Sequence, residues 1–164
     1  KLMGAEVIAA ASSENKLAAA KRAGADHLIN YSEGNIREKI KNIVGSSGID
    51  VLYDPVGGEL FEPCLRSLAW GGRALVIGFA SGTIPKLPTN LTLVKGCSVV
   101  GVFWGAFRIK ETKEDNKNFE ILFKWFKEKK VSPLVSQKFS LENAKEALLT
   151  LATRKAIGKV IITP

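Results

Sequence analysis

Residues 6–30 read EVIAAASSENKLAAAKRAGADHLIN, and this stretch decides the fold class. Residues 6–11 are apolar and alanine-rich and predict a strand, whereas the apolar side chains of residues 14–23 recur at helical spacing. Gly24 then stands where a helix commonly ends, and residues 27–30 predict a second, short strand. A strand, a helix and a strand in this order predict a parallel pair joined by a right-handed crossover.

The same alternation continues along the chain. Residues 35–44 place four aliphatic side chains on one helical face, after Asn35, which can cap the helix, and before Gly45. Residues 84–88 contain two prolines and predict a loop. Further strands are predicted at 49–54, 73–77, 97–104 and 159–162, an extended segment at 134–139, and helices at 60–68, 114–130 and 144–154. This order predicts an α/β fold with a parallel sheet covered by helices on both faces.

One part of a nucleotide-binding sheet is missing from this pattern. The first strand of such a sheet usually leads into a glycine-rich turn that binds a pyrophosphate, and the chain has no turn of that kind. Residues 1–5 have the character of a helix end, so the strand at 6–11 takes the second position. We therefore expect residues 1–164 to form one dinucleotide-binding domain, truncated at its N-terminus.

Composition narrows the class of protein. A chain of 164 residues with 46% hydrophobic and 24% charged residues is typical of one globular domain and excludes a disordered or fibrous chain. No apolar run is long enough to span a bilayer and no signal peptide is evident, so we expect a cytoplasmic protein without membrane contact. Cys64 and Cys97 stand alone in apolar sequence, and with the single His27 they make no metal-ligand set.

The net charge of +8 raises the possibility of nucleic-acid binding, because lysine and arginine neutralise phosphates whatever the base sequence. The positive residues are scattered along the chain. Their densest group surrounds aromatic residues at helical spacing, as expected for the solvated face of an amphipathic helix. This group comprises Lys124, Lys127, Lys129 and Lys130. A non-enzymatic nucleic-acid-binding module therefore remains an alternative to a cofactor-binding domain.

Candidate binding residues follow the predicted strands, because ligands of open parallel sheets bind outside the carboxyl ends of the strands. Ser12, Ser13 and Lys16 follow the first strand, and no carboxylate stands where one would bind the ribose hydroxyls of NAD. Hydroxyl groups and an ammonium suit a phosphate, which favours NADP, although the serines are also ordinary helix-capping residues. Tyr31 follows the second strand and can contact adenine or the same phosphate, or simply pack.

Glycines follow the next two strands. Gly57 lies in the turn after residues 49–54, where the absence of a side chain allows the backbone to approach a ligand closely. A structural turn explains this glycine equally well. Gly78 and Phe79 follow the fourth strand, at a position where the backbone can pass over a nicotinamide or a ribose.

Four groups of motifs, in combination and in order, carry a resemblance that covers essentially the whole chain. They are AGAD (23–26) leading to NY (30–31), GIDV (48–51) leading to DPVGG (54–58), LAWGGR (68–73) and VIGFASG (76–82). On these motifs the chain resembles the cofactor-binding half of the medium-chain dehydrogenase/reductase superfamily, in its zinc-free quinone oxidoreductase or zeta-crystallin-like branch. The motifs SLAW (67–70), PTNL (88–91) and WG (104–105) are similar to those of one quinone oxidoreductase-like group within that branch.

The resemblance implies a Rossmann-like, doubly wound fold whose first strand, glycine-rich turn and catalytic domain would precede Lys1. It implies hydride transfer from NADPH to quinones or other α,β-unsaturated carbonyl compounds without a catalytic zinc, and a homodimer formed through residues 98–103. Contacts to the adenosine phosphate are implied for Lys16 and Tyr31. Contacts elsewhere on the cofactor are implied for Gly78, Phe79, Val102, Phe103, Trp104 and either Arg154 or Lys159. A zinc-dependent alcohol dehydrogenase domain of similar fold stays open, since zinc ligands of such relatives lie mostly in the other half.

Overall fold

Every strand of the structure pairs with a parallel neighbour, as the alternation of strands and helices predicts. The computed structural model describes residues 1–164 in two units, Glu6–Lys110 and Lys1–Ala5 with Glu111–Pro164. The strands are β1 (Ile8–Ala11), β2 (His27–Asn30), β3 (Ile49–Asp54), β4 (Leu68–Val76), β5 (Ser98–Gly101), β6 (Val135–Ser140) and β7 (Lys159–Thr163). The α-helices are α1 (Glu14–Arg22), α2 (Ile36–Val44), α3 (Phe61–Leu65), α4 (Asn90–Lys95), α5 (Trp104–Lys110), α6 (Thr112–Lys127) and α7 (Ala144–Ala152).

The first strand, helix and strand form in the predicted order, although β1 begins two residues after the predicted start at 6 and α1 ends one residue before the predicted end at 23. β1 and β2 pair in register from Ile8 with His27 to Ala11 with Asn30. α1 ends before Gly24, whose φ of 100° is left-handed and whose backbone N–H donates to the Lys21 carbonyl oxygen at 3.0 Å.

α2 shows why the strongest local signals in the sequence succeed. The Asn35 side chain accepts a hydrogen bond from the Arg37 backbone N–H at 3.0 Å, which confirms the predicted cap. Ile36 and Ile40 are buried on the predicted face, where they join Ile29 and Cys64 in one hydrophobic cluster. Burial of aliphatic side chains on one face holds α2 against the β1–β2 pair. This packing fixes the position of the strand ends from which the next loops start.

The predicted helix at 60–68 is right as far as Leu65 and wrong at 66–68. α3 ends at Leu65, and Leu68 already belongs to β4, where it pairs with Ile49. Leu68 is fully buried. It lies in a strand because the Ile49 backbone N–H of β3 donates to the carbonyl oxygen of the preceding residue, Ser67, at 3.0 Å. β4 therefore begins five residues before the predicted position at 73, and an irregularity in register separates its two parts.

The predicted strand at 97–104 is too long, and two helices were missed. β5 ends at Gly101, and Trp104 is the first residue of α5, because the Phe107 backbone N–H donates to the Phe103 carbonyl oxygen at 3.0 Å. α4 follows the predicted proline-containing loop and ends at Gly96, whose φ of 56° is left-handed.

The strands form three hydrogen-bonded groups instead of one continuous sheet. They are β1–β2, β3–β4–β5 and β6–β7, the last in the second unit. In the usual order of a doubly wound sheet the first strand lies between the second and the fourth. β1 and β3 hold those second and fourth positions in chain order, and each pairs on one edge only. The fold is Rossmann-like, and no strand of residues 1–164 occupies the first position.

The second unit contains α6, β6, α7 and β7. α6 begins two residues before the predicted helix at 114–130 and ends three residues sooner, where Lys129 adopts a left-handed φ of 57°. α7 buries Ala147. No helix of the chain combines the length and the apolar character that crossing a membrane requires.

Candidate cofactor-binding site

The carboxyl ends of β1 and β2 bring two predicted segments together. The Tyr31 backbone N–H donates to the Ala11 carbonyl oxygen at 3.1 Å, and the Ser32 hydroxyl donates to the Ser12 carbonyl oxygen at 3.2 Å. Ser12 and Tyr31 thus lie on neighbouring loops, held by backbone contacts. This is the geometry that two adjacent parallel strands give to the residues after them.

Ser13 and Lys16 begin α1 beside these loops. The Ser13 carbonyl oxygen accepts the backbone N–H groups of Lys16 and Leu17, each at 3.1 Å, while the Ser13 side chain makes no capping hydrogen bond. Ser13 therefore stands at the N-cap position of α1, but its hydroxyl does not cap the helix. Lys16 is half-buried in the first turn of the helix.

Asn30, which the sequence shows only as part of the NY motif (30–31), connects the two loops. Its side-chain amide donates to the Glu14 Oε1 atom at 3.1 Å and to the Glu33 Oε1 atom at 2.7 Å. Two carboxylates therefore lie beside the Asn30 side chain at the end of β2, although neither directly follows β1. The available signal was the position of Asn30, directly before Tyr31 at the end of a predicted strand.

The loops after β3 and β4 are joined to each other. The Asp54 Oδ1 atom accepts the backbone N–H groups of Val56 and Gly57, each at 2.9 Å. Three backbone hydrogen bonds join the two loops. The N–H of Gly58 donates to the Thr83 carbonyl oxygen at 3.0 Å, that of Ala80 to the Pro55 carbonyl oxygen at 3.1 Å, and that of Ser81 to the Val56 carbonyl oxygen at 3.0 Å. Such mutual hydrogen bonding makes the two loops one platform at the strand ends.

Gly57 has a structural reason to be glycine. Its φ is 67°, and a Cβ atom added to it would lie 3.0 Å from the Phe79 Cδ1 atom and 3.1 Å from the Thr83 carbonyl oxygen. The turn interpretation therefore accounts for Gly57, and it also places Gly57 against Phe79. The Phe79 side chain stays 41% exposed, which leaves part of its ring available to a ligand.

Val102 continues the same edge of the sheet. Its backbone N–H donates to the carbonyl oxygen of Val76, the last residue of β4, at 3.0 Å. The Phe103 side chain is 79% exposed, and the Trp104 ring lies 5.5 Å from the Arg108 guanidinium carbon. The structure thus brings Val102 to the strand end at which the loop after β4 begins.

Arg154 belongs to the second unit. It lies just after α7 with a φ of 58°, and its backbone N–H donates to the Leu151 carbonyl oxygen at 3.0 Å. Its predicted role at the far end of a cofactor stays a prediction.

The nucleophilic and metal-ligating side chains are dispersed. Cys64 and Cys97 are free thiols. Burial, and then the charge of Asp54, raise the pKa of the Cys64 thiol to about 11, which makes it a weak nucleophile at neutral pH. The His27 Nε2 atom lies 2.6 Å from the Glu6 Oε1 atom. No three His, Cys, Asp or Glu side chains are grouped so that they could hold a metal ion.

The fold and these loops define a nucleotide-binding α/β domain, and comparison with known proteins identifies its family. Residues 1–127 match the family model described as zinc-binding dehydrogenase. The chain belongs to this family, and within the medium-chain dehydrogenase/reductase superfamily it is a cofactor-binding half of the zinc-free, quinone oxidoreductase-like branch.

Individual relatives agree with this assignment. The chain is 38% identical over 162 residues to quinone oxidoreductase-like protein 2 of Bos taurus, covering 99% of this chain and 46% of the relative. Among solved structures, a quinone oxidoreductase of Pseudomonas syringae matches with a TM-score of 0.87 and 26% identity, covering 100% of this chain and 50% of that one. The Escherichia coli quinone oxidoreductase complexed with NADPH matches with a TM-score of 0.85 and 27% identity, covering 99% and 51%. The chain thus spans about half the length of these relatives.

Proposed function

We propose that this chain is the NADPH-binding part of an oxidoreductase that reduces quinones or other α,β-unsaturated carbonyl compounds. The observation that carries the proposal is the convergence of the loop after β1, the first turn of α1 and the loop after β2. These segments bring hydroxyl groups, an ammonium and a phenol to one edge of the sheet. The complex of the Escherichia coli relative with NADPH supports the same cofactor.

The donor groups fit the extra phosphate of NADPH. Ser12, Ser13 and Tyr31 supply hydroxyl groups and Lys16 supplies a positive charge, and hydrogen bonds between charged and polar partners of this kind are among the strong ones in proteins. Bound NADPH supplies the hydride, and the residues of this chain bind and orient it. We propose that the nicotinamide half of the cofactor lies against the platform formed by the loops after β3 and β4, and against the residues that follow β5. The proposed contact residues are Gly57, Gly78, Phe79, Val102, Phe103 and Trp104.

The proposed partner of the chain is a second copy of itself. β5 pairs only with β4, so one edge of β5 is unpaired, and Val100 within it is 39% exposed. Unpaired edges of this kind promote strand pairing between molecules, and twofold dimers are the commonest closed assemblies. We therefore propose a homodimer through residues 98–103. We also propose a reducing, cytoplasmic location, which the two free cysteines support.

Calorimetric titration of the chain with NADPH and with NADH tests the cofactor assignment. We expect NADPH to bind more tightly, although weakly in absolute terms because no glycine-rich turn holds the pyrophosphate. A chain that binds oligonucleotides with a steep salt dependence, and neither cofactor, would support the nucleic-acid-binding alternative instead.

A further inference from the structure

Asn30, the last residue of β2, uses every polar atom of its side chain. Its Oδ1 atom accepts the Ser32 backbone N–H at 3.1 Å, and its Nδ2 atom donates to the Glu14 Oε1 atom at 3.1 Å and to the Glu33 Oε1 atom at 2.7 Å. The bond from Ser32 fixes the orientation of the amide, because only the oxygen can accept a backbone N–H. Both hydrogens of the amide are then directed at carboxylates.

The main chain of Asn30 adds another connection. Its carbonyl oxygen accepts the Lys39 Nζ group at 2.8 Å, which ties the residue to α2. The three side-chain hydrogen bonds of Asn30 are exposed to solvent, and the one from Lys39 is partly buried. One residue therefore links the start of α1, the loop after β2 and α2.

The placement of Glu14 matters for an anionic ligand. Glu14 lies in the first turn of α1, two residues before Lys16. A carboxylate that turned toward the proposed phosphate position would repel the phosphate and compete with it for the Lys16 ammonium. The Asn30 amide donates to one oxygen of each of the two carboxylates, Glu14 and Glu33, and so engages both of them at the end of β2.

We propose that Asn30 is a positioning residue that sets the preference for a 2′-phosphorylated adenosine, by holding Glu14 and Glu33 and the loop that carries Tyr31. This inference rests on the proposed NADPH function and deepens it. Asn30 acts through its neighbours and does not itself contact the phosphate.

The test uses adenosine 2′,5′-bisphosphate and adenosine 5′-monophosphate as probes in calorimetric titrations of the whole chain. Asn30→Asp keeps the shape of the side chain and its acceptor for Ser32, but it replaces both N–H donors with a third carboxylate. We expect this substitution to weaken binding of the bisphosphate about tenfold and binding of the monophosphate less than about twofold. A tenfold change in affinity corresponds to about 1.4 kcal/mol of binding free energy. Asn42→Asp, on the exposed surface of α2, makes the same change of charge and should alter neither affinity.

A double variant separates positioning from a general loss of structure. N30D/E14Q exchanges donor and acceptor, so the hydrogen bond to position 14 can form again and one carboxylate is removed. We expect it to recover most of the bisphosphate affinity. Thermal unfolding of each variant checks that the fold is retained.

The possible outcomes distinguish this inference from the proposed function. If the unsubstituted chain shows no preference for the bisphosphate, the NADPH assignment is wrong and the role of Asn30 is wrong with it. If the unsubstituted chain prefers the bisphosphate and Asn30→Asp keeps that preference, the NADPH assignment stands and the positioning role is wrong. Failure of N30D/E14Q to recover affinity, in a folded protein, would also contradict the positioning role.

Discussion

Lys16 is the residue on which the proposed choice of cofactor most depends. We expect Lys16→Ala to weaken NADPH about tenfold and to leave NADH nearly unchanged, because only NADPH has the extra phosphate. Solvent at the edge of the site keeps the effect from being larger. Tyr31→Phe should have a smaller effect. Titration calorimetry with both cofactors measures the difference.

Lys21→Ala is the matched control for this prediction, because Lys21 lies exposed in the last turn of the same helix. An equal change in the affinities of NADPH and NADH for Lys16→Ala, or no change in either, would show that Lys16 is an ordinary solvated lysine.

Cys64 makes the stability of the fold depend on pH in the alkaline range. Its pKa is raised from 9.0 to about 11 by burial and by Asp54, so the unfolded chain loses this proton first as the pH rises. The folded state then binds more protons than the unfolded state, and the free energy of unfolding falls between about pH 9 and pH 11. The loss is about 3 kcal/mol at most.

Urea unfolding at a series of pH values measures this loss. Cys64→Ala removes the titrating group, so its free energy of unfolding should fall less steeply over the same range, whatever its value at neutral pH. Equal slopes for the two proteins would rule out Cys64 as the source of the pH dependence.

At the scale of elements, β5 carries the proposed dimer. Val100 pairs with Leu75 of β4 on one side, and the other edge of the strand is unpaired. Val100→Pro removes a backbone donor and fixes φ, so we expect a monomer where the unchanged chain is a dimer. Light scattering measures the mass. Val100→Thr keeps the amide and the branched side chain and should keep the dimer, whereas a dimer that survives Val100→Pro would place the interface elsewhere.

The predicted elements succeed or fail according to how local their determinants are. The strands at 27–30 and 49–54 have the predicted bounds, and α2 begins at its predicted cap. The helix predicted at 60–68 ends at Leu65, because the apolar pattern of its last residues suits a helix and a strand equally. Pairing of Leu68 with Ile49, almost twenty residues earlier, decides that this part of the chain is a strand.

At the scale of the whole molecule, the chain spans about half the length of its relatives, with 46% of the Bos taurus protein covered. We expect the isolated chain to show no quinone reductase activity, because hydride transfer needs donor and acceptor held together in one geometry. NADPH oxidation with a quinone, compared with the rate without protein, measures this. Turnover above that rate, in a preparation whose activity follows the chain through purification, would contradict the expectation.

The sequence alone determined the alternation of strands and helices, the amphipathic α2 and the strand ends at which we propose binding residues. These features depend on side-chain spacing and capping within a few residues, so a local pattern contains them. Only the tertiary structure decided that Asn30 holds Glu14, sixteen residues away, and that the loops after β3 and β4 form one platform. Both depend on hydrogen bonds between segments that the fold brings together, and no local pattern records which donor reaches which acceptor.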